Sequence, residues 1–200
     1  GAVALQYSAA PGVKELREAI AEQETKRGVP TTVDEVLITS GSQQGLDMIA
    51  RLFLDEGSKM LVESPTYMGA LGAFNFCFPE YVEMKTDDEG LNPDWLGEEC
   101  RGARFAYVMP TFQNPSGRTI SEERRRKLCE KAREYDFWLL EDDPYGEIYF
   151  GERPPVSLRA IAPERTIRMT PSLGLEYVWL KQRDFNVRMN SGETLLEGEA

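Results

Sequence analysis

The sequence predicts an α/β domain built on a mostly parallel sheet flanked by helices. Three features point there. Short runs of four to six residues, apolar nearly throughout, recur along the chain. They alternate with helical segments, as the strands of a largely parallel sheet do. The intervals between them carry the 3.6-residue apolar spacing of amphipathic helices.

The elements follow in order. Val13, Leu16 and Ile20 mark one face of a helix that stops near Gly28, where positive φ is cheap. Val36 to Thr39 reads as a buried strand, broken by Ser40-Gly41-Ser42. Leu46, Ile49, Ala50 and Phe53 resume helical spacing until Asp55-Glu56-Gly57. Met60 to Val62 is a strand, Pro65 to Tyr67 a turn, and a short helix runs into Phe74. Tyr81 to Met84 is a strand closed by the turn Asp87-Asp88-Glu89-Gly90. A helix is expected from about Pro93 to Glu99, then a strand at Phe105 to Met109. Ser121 caps a helix whose first turn, Glu122-Glu123, suits the positive end of the dipole. That helix ends near Tyr135, before the apolar strand Phe137 to Leu140.

Composition narrows the function. The 200 residues, 41% hydrophobic and 28% charged, suffice for one sizeable soluble domain. No apolar run approaches a membrane span and no secretory leader opens the chain, so no membrane partner is expected. A net charge of -11 argues against a nucleic-acid partner. Cys77, Cys100 and Cys129 are an odd number without metal-like spacing, which reads as reduced thiols in the cytoplasm. There is no histidine, which excludes Ser-His-Asp and Cys-His catalysis and histidine general bases. The chain opens at Gly1 with a helical segment close behind, and so reads as the middle of something longer.

In parallel sheets ligands bind beyond the carboxyl ends of the strands. Four such segments stand out. Ser40-Gly41-Ser42-Gln43-Gln44 opens a helix, where free N–H groups and the dipole make an anion site. Ser64-Pro65-Thr66-Tyr67 places an aromatic ring at a strand exit. Pro110 to Gly117 holds Asn114 between a strand end and a proline. Glu141-Asp142-Asp143-Pro144-Tyr145 sets three carboxylates after a buried strand, either as a solvated loop or to serve a cationic ligand. The others have plainer readings too: an ordinary helix cap, a packing tyrosine, and a common Asn-Pro turn.

Taken in order, these segments resemble the class I and II branch of the fold-type-I aminotransferases, which includes 2-aminoadipate and kynurenine aminotransferases. The phrases that carry the resemblance are Val36 to Asp47, Val62 to Tyr67, Pro110 to Gly117 and Leu139 to Glu147, and it extends from Leu5-Gln6-Tyr7 to about Ile167. It implies pyridoxal 5'-phosphate (PLP) as cofactor and an amino acid and a 2-oxo acid as substrates. Gly41, Ser42 and Gln43 would cradle the phosphate, and Tyr67 would stack on the pyridine ring. Asn114 and Tyr145 would bond its phenolic oxygen. Asp142 would pair with the pyridine nitrogen, keeping the ring an electron sink. Asp142 and Tyr145 are the catalytic candidates. Tyr7 matches a residue that reaches the neighbouring subunit's phosphate, which implies a homodimer.

The resemblance divides the chain into a partial cofactor-binding domain, residues 1–167, and a tail, 168–200, without clear family match; nothing in it corresponds to the family's C-terminal small domain. The family's Ser-Phe-Ser-Lys phrase, whose lysine forms the Schiff base, is replaced by Met169-Thr170-Pro171-Ser172-Leu173-Gly174. Lys181 matches no motif. The tail reads as a frameshift, as a deletion in which Pro171 to Val178 echoes the family's Pro-Gly-Leu-Arg-Leu-Gly-Tyr-Val, or as a pseudoenzyme; the aperiodic residues 180–200 favour the first. The chain alone is therefore expected to be inactive. An alternative is the aminotransferase-like effector domain of a transcriptional regulator.

Overall fold

The computed structural model describes residues 9–172 and 175–179. The helices are α1 (Lys14–Lys26), α2 (Ser42–Phe53), α3 (Met68–Phe74), α4 (Glu122–Tyr135) and α5 (Leu158–Ile161). The strands are β1 (Val36–Thr39), β2 (Lys59–Ser64), β3 (Glu80–Asp87), β4 (Gly90–Leu91), β5 (Phe105–Val108), β6 (Trp138–Asp142), β7 (Thr166–Ser172) and β8 (Leu175–Trp179). They form one sheet in the order β1-β8-β7-β6-β5-β2-β3-β4. Only β4 and β8 run against the rest, so the expected mostly parallel sheet is present. Thr39, Ser64, Val108 and Asp142 all end their strands at one edge.

Register assigns each apolar residue to a face. Val62, Tyr107, Leu140 and Ile167 lie side by side across β2, β5, β6 and β7. Neighbours in such a row point the same way, and this row packs with Leu46, Ile49 and Ala50 of α2 and Ala70, Ala73 and Phe74 of α3. The adjacent row, Leu61, Ala106 and Leu139, faces Leu128, Cys129 and Ala132 of α4 and Leu158 of α5. The central strand β5 is thus buried on both sides, which is why Phe105–Val108 carries no charged residue.

Two sequence expectations change. The helix expected at Pro93 to Glu99 is two single 3-10 turns, Pro93–Trp95 and Glu98–Cys100. Asn92 accepts the Asp94 N–H to start the first, while Gly97, at φ -142° and ψ -148°, is fully extended and prevents the turns from joining. The boundary expected at residue 167 falls inside β7, and Leu175–Trp179, within the faint family echo, forms β8 between β1 and β7. Residues of the tail therefore supply the greater part of β7 and all of β8.

Candidate functional site

Glu141 and Asp142 end β6 and Asp143 follows it, and the alternation of the chain there sends the three carboxylates to different places. None is solvated: Glu141 is 0% exposed, Asp142 5% and Asp143 7%. Glu141 faces the α5 side, where it accepts the Ser157 hydroxyl at 2.5 Å and the N–H groups of Leu158 and Arg159 at 3.0 and 3.2 Å. Asp143 accepts from the buried Arg168 guanidinium at 2.6 Å, and Arg168 also pairs with Glu24 of α1. These two serve the fold, and the solvated-loop reading does not hold. Asp142 lies beside Met169 on the α2–α3 face. There its Oδ2 accepts the Tyr107 hydroxyl at 2.6 Å.

The other expected residues arrive on the same face or the same edge. Gly41 precedes α2 with φ 93° and ψ 159°, a conformation open to glycine and costly for other residues. The N-cap Gly41 offers no side chain to cap this helix, and no acidic residue occupies its first turn. Gln44 instead reaches back to accept the Ser40 N–H at 2.6 Å, closing the turn around the helix start. The exposed Gln43 donates its side-chain amide to the Gly69 carbonyl at 3.4 Å, which ties the α2 start to α3 beside Tyr67.

Tyr67 immediately precedes α3 and packs half-buried against the core of that face. Its ring lies over Gly69, where an added Cβ would sit 2.4 Å from the ring Cζ and the hydroxyl oxygen. Asn114 is half-buried behind a cis Asn114-Pro115 bond. Its loop is fastened to the Tyr67 turn by Gln113, whose amide donates to the Pro65 carbonyl at 2.8 Å and whose oxygen accepts the Ser116 N–H and hydroxyl at 2.9 and 2.6 Å. Tyr145 follows β6 at the same edge and is 38% exposed. Tyr7 and Lys181 lie outside the described residues.

Sequence reasoning missed Tyr107, Gln113 and Glu63. Glu63 is buried at the end of β2 and accepts the Met109 N–H at 2.8 Å. Burial pushes its carboxyl up to about 8 against the weaker pull of that N–H. Burial and the charge of Asp142 likewise push the Tyr107 phenol far up, so it stays protonated and acts as a donor. A tyrosine inside an apolar strand, three residues before Pro110, was the available signal. What its hydroxyl meets depends on the neighbouring strand.

The donor set fits PLP. An uncapped helix start with a glycine turn suits a dianionic phosphate. A buried carboxylate suits a protonated ring nitrogen, and an aromatic ring beside them offers a stacking surface. A separate cavity of about 130 Å³, lined by Arg27, Arg125, Asp143, Arg153 and Arg168 among others, includes none of these residues.

Comparison with known proteins agrees. The family model for aminotransferase class I and II matches residues 3–173. The aromatic-amino-acid aminotransferase 1 of Thermococcus litoralis is 43% identical over 167 residues, which are 80% of this chain and 40% of that protein. An uncharacterized HTH-type transcriptional regulator of Bacillus subtilis is 31% identical over 188 residues, 90% of this chain and 39% of its own length. Among solved structures, Pyrococcus horikoshii kynurenine aminotransferase in complex with PMP superposes with a TM-score of 0.82 at 40% identity, covering 88% of this chain and 47% of that one. The chain thus spans about two fifths of the length of the curated relatives it matches. With the family model matching residues 3–173 and the fold superposing on a solved member, the chain belongs to the class I and II aminotransferases.

Proposed function

We propose that this chain is the greater part of the cofactor-binding unit of a cytoplasmic PLP-dependent aminotransferase, which exchanges an amino group between an amino acid and a 2-oxo acid as a homodimer. The observation that carries the reading is the separation of the carboxylates of Glu141, Asp142 and Asp143. Two are consumed by the fold, and Asp142 alone stands on the face shared with Tyr67 and the α2 start.

When bound, PLP supplies an electron sink for the substrate's α-carbon. The chain's own residues bind and orient. Gly41, Ser42 and Gln43, at the start of α2, would present its first-turn N–H groups to the phosphate. Tyr67, its ring resting on Gly69, offers a flat apolar surface for the pyridine. Asp142 would hold a proton on the ring nitrogen, while Asn114 and Tyr145 would donate to the phenolic oxygen. Tyr7 would complete the partner's site. No lysine stands between Thr166 and Leu180, so the covalent anchor and the base that moves the substrate proton are missing from the expected place.

Titration of the purified chain with PLP, followed by tryptophan fluorescence, tests this reading. Saturable binding is expected, weakened roughly tenfold or more, about 1.4 kcal/mol, by Asp142→Ala. Equal affinity in the variant would overturn the assignment. The match to the helix-turn-helix regulator supports a second reading, the effector domain of such a regulator. Coding sequence upstream of Gly1 distinguishes the two: a basic helix-turn-helix there favours the regulator.

A further inference from the structure

Tyr107 has no surface role, since it is 0% exposed in the middle of the buried strand β5. Its ring is held by Phe74 of α3, edge to face at 5.5 Å and 69°. Leu140 is its direct neighbour on β6, and Asp142 is the next residue of β6 on that face. The phenol therefore meets the carboxylate diagonally across two strands, a relation fixed by register rather than by flexible side-chain choice. The bond is short, 2.6 Å, as expected for a hydroxyl donating to an anionic oxygen. The hydroxyl stays protonated, because burial and the carboxylate charge both oppose its ionisation.

We propose that Tyr107 is a positioning residue for the cofactor: its phenol fixes the Asp142 carboxylate in the orientation that holds the proton on the pyridine nitrogen. This rests on the reading that Asp142 faces that nitrogen. An aspartate carboxylate rotates readily about its last bond, and backbone pairing alone does not set its plane. Tyr107 does so by occupying Oδ2 from a ring that Phe74 holds in place. The phenol does not touch the substrate and takes no part in proton transfer.

The test compares the wild-type chain with Tyr107→Phe and Asp142→Asn. Ring-nitrogen-labelled PLP is bound to each, and the nitrogen's NMR shift is followed against pH. The wild type should keep the nitrogen protonated to the highest pH, and Asp142→Asn should lose the protonated signal. Tyr107→Phe should still bind PLP, with its titration midpoint lowered by about one unit, a tenfold loss of preference for the protonated ring. A midpoint in Tyr107→Phe that is unchanged or raised overturns the positioning role while leaving the site assignment intact. Failure of the wild type to bind, or an unchanged nitrogen signal in Asp142→Asn, removes the site assignment and this proposal together. A second measurement needs no cofactor: in the chain alone, the Asp142 carboxyl-carbon NMR signal should shift on Tyr107→Phe. No shift there also overturns the proposal.

Discussion

At the residue scale, the site depends on contacts that one atom more or less would alter. Gly69 is the clearest case. Alanine suits a helix better than glycine, so Gly69→Ala should leave the melting temperature within a few degrees of wild type. Its Cβ would collide with the Tyr67 ring, so PLP should bind roughly tenfold more weakly; unchanged affinity would show that Tyr67 does not stack on the cofactor. Glu63 gives a pH dependence. Its folded-state pKa of about 8 stands above the ordinary value of 4.5, so the folded chain holds an extra proton between those limits. That stabilisation is complete below about pH 4.5 and is lost as pH rises toward 8. Thermal melts from pH 5 to 9 should show this decline, and Glu63→Gln should remove the part of the slope due to this carboxyl. Neither contact was legible in the sequence. The phrase Glu63-Ser64-Pro65-Thr66-Tyr67 marked the turn, but the partner of Glu63 comes from the end of β5, 46 residues away.

At the element scale, strand and helix termini were the most readable features, because their signals are local. Ser121 accepts the Arg124 N–H at the start of α4 as its sequence suggested, and Asp136 ends the helix in the left-handed region. The start of α2 was equally legible, since Gly41 followed by helical spacing marks a turn that needs an unusual backbone. Gly41→Ala should lower stability by about 1–3 kcal/mol, or several degrees in melting temperature. It should also weaken PLP binding by displacing the first-turn N–H groups. A variant with wild-type melting and binding would show that the turn tolerates a side chain. The region from Pro93 to Glu99 was misread because local propensity favoured a helix there, while Gly97 and the cap at Asn92 divide it into two turns. β4 went unseen because two residues carry no pattern. Its place is set by Arg124, which reaches from α4 to donate to Asp87 and to the carbonyls of Gly90 and Leu91.

At the scale of the whole molecule, two apolar layers cover one sheet, and the proposed site lies at the edge where the α2–α3 layer meets the strand ends. With no lysine at the expected position, borohydride reduction of the chain with PLP should leave no cofactor covalently attached, and no amino-group transfer to a 2-oxo acid should be detectable. A cofactor trapped on Lys181, with turnover, would show that the missing group is supplied from the tail. The sequence by itself determined the alternation of strands and helices, the edge at which chemistry-bearing turns gather, and the family, because each is carried by residues close together in the chain. Tertiary structure alone decided where Glu141, Asp142 and Asp143 go: to the start of α5, to Tyr107 on the α2–α3 face, and to Arg168. Side chains reverse direction at every residue of a strand, so the layer each one enters, and the Ser157, Tyr107 or Arg168 it meets there, depends on pairing between strands distant in sequence.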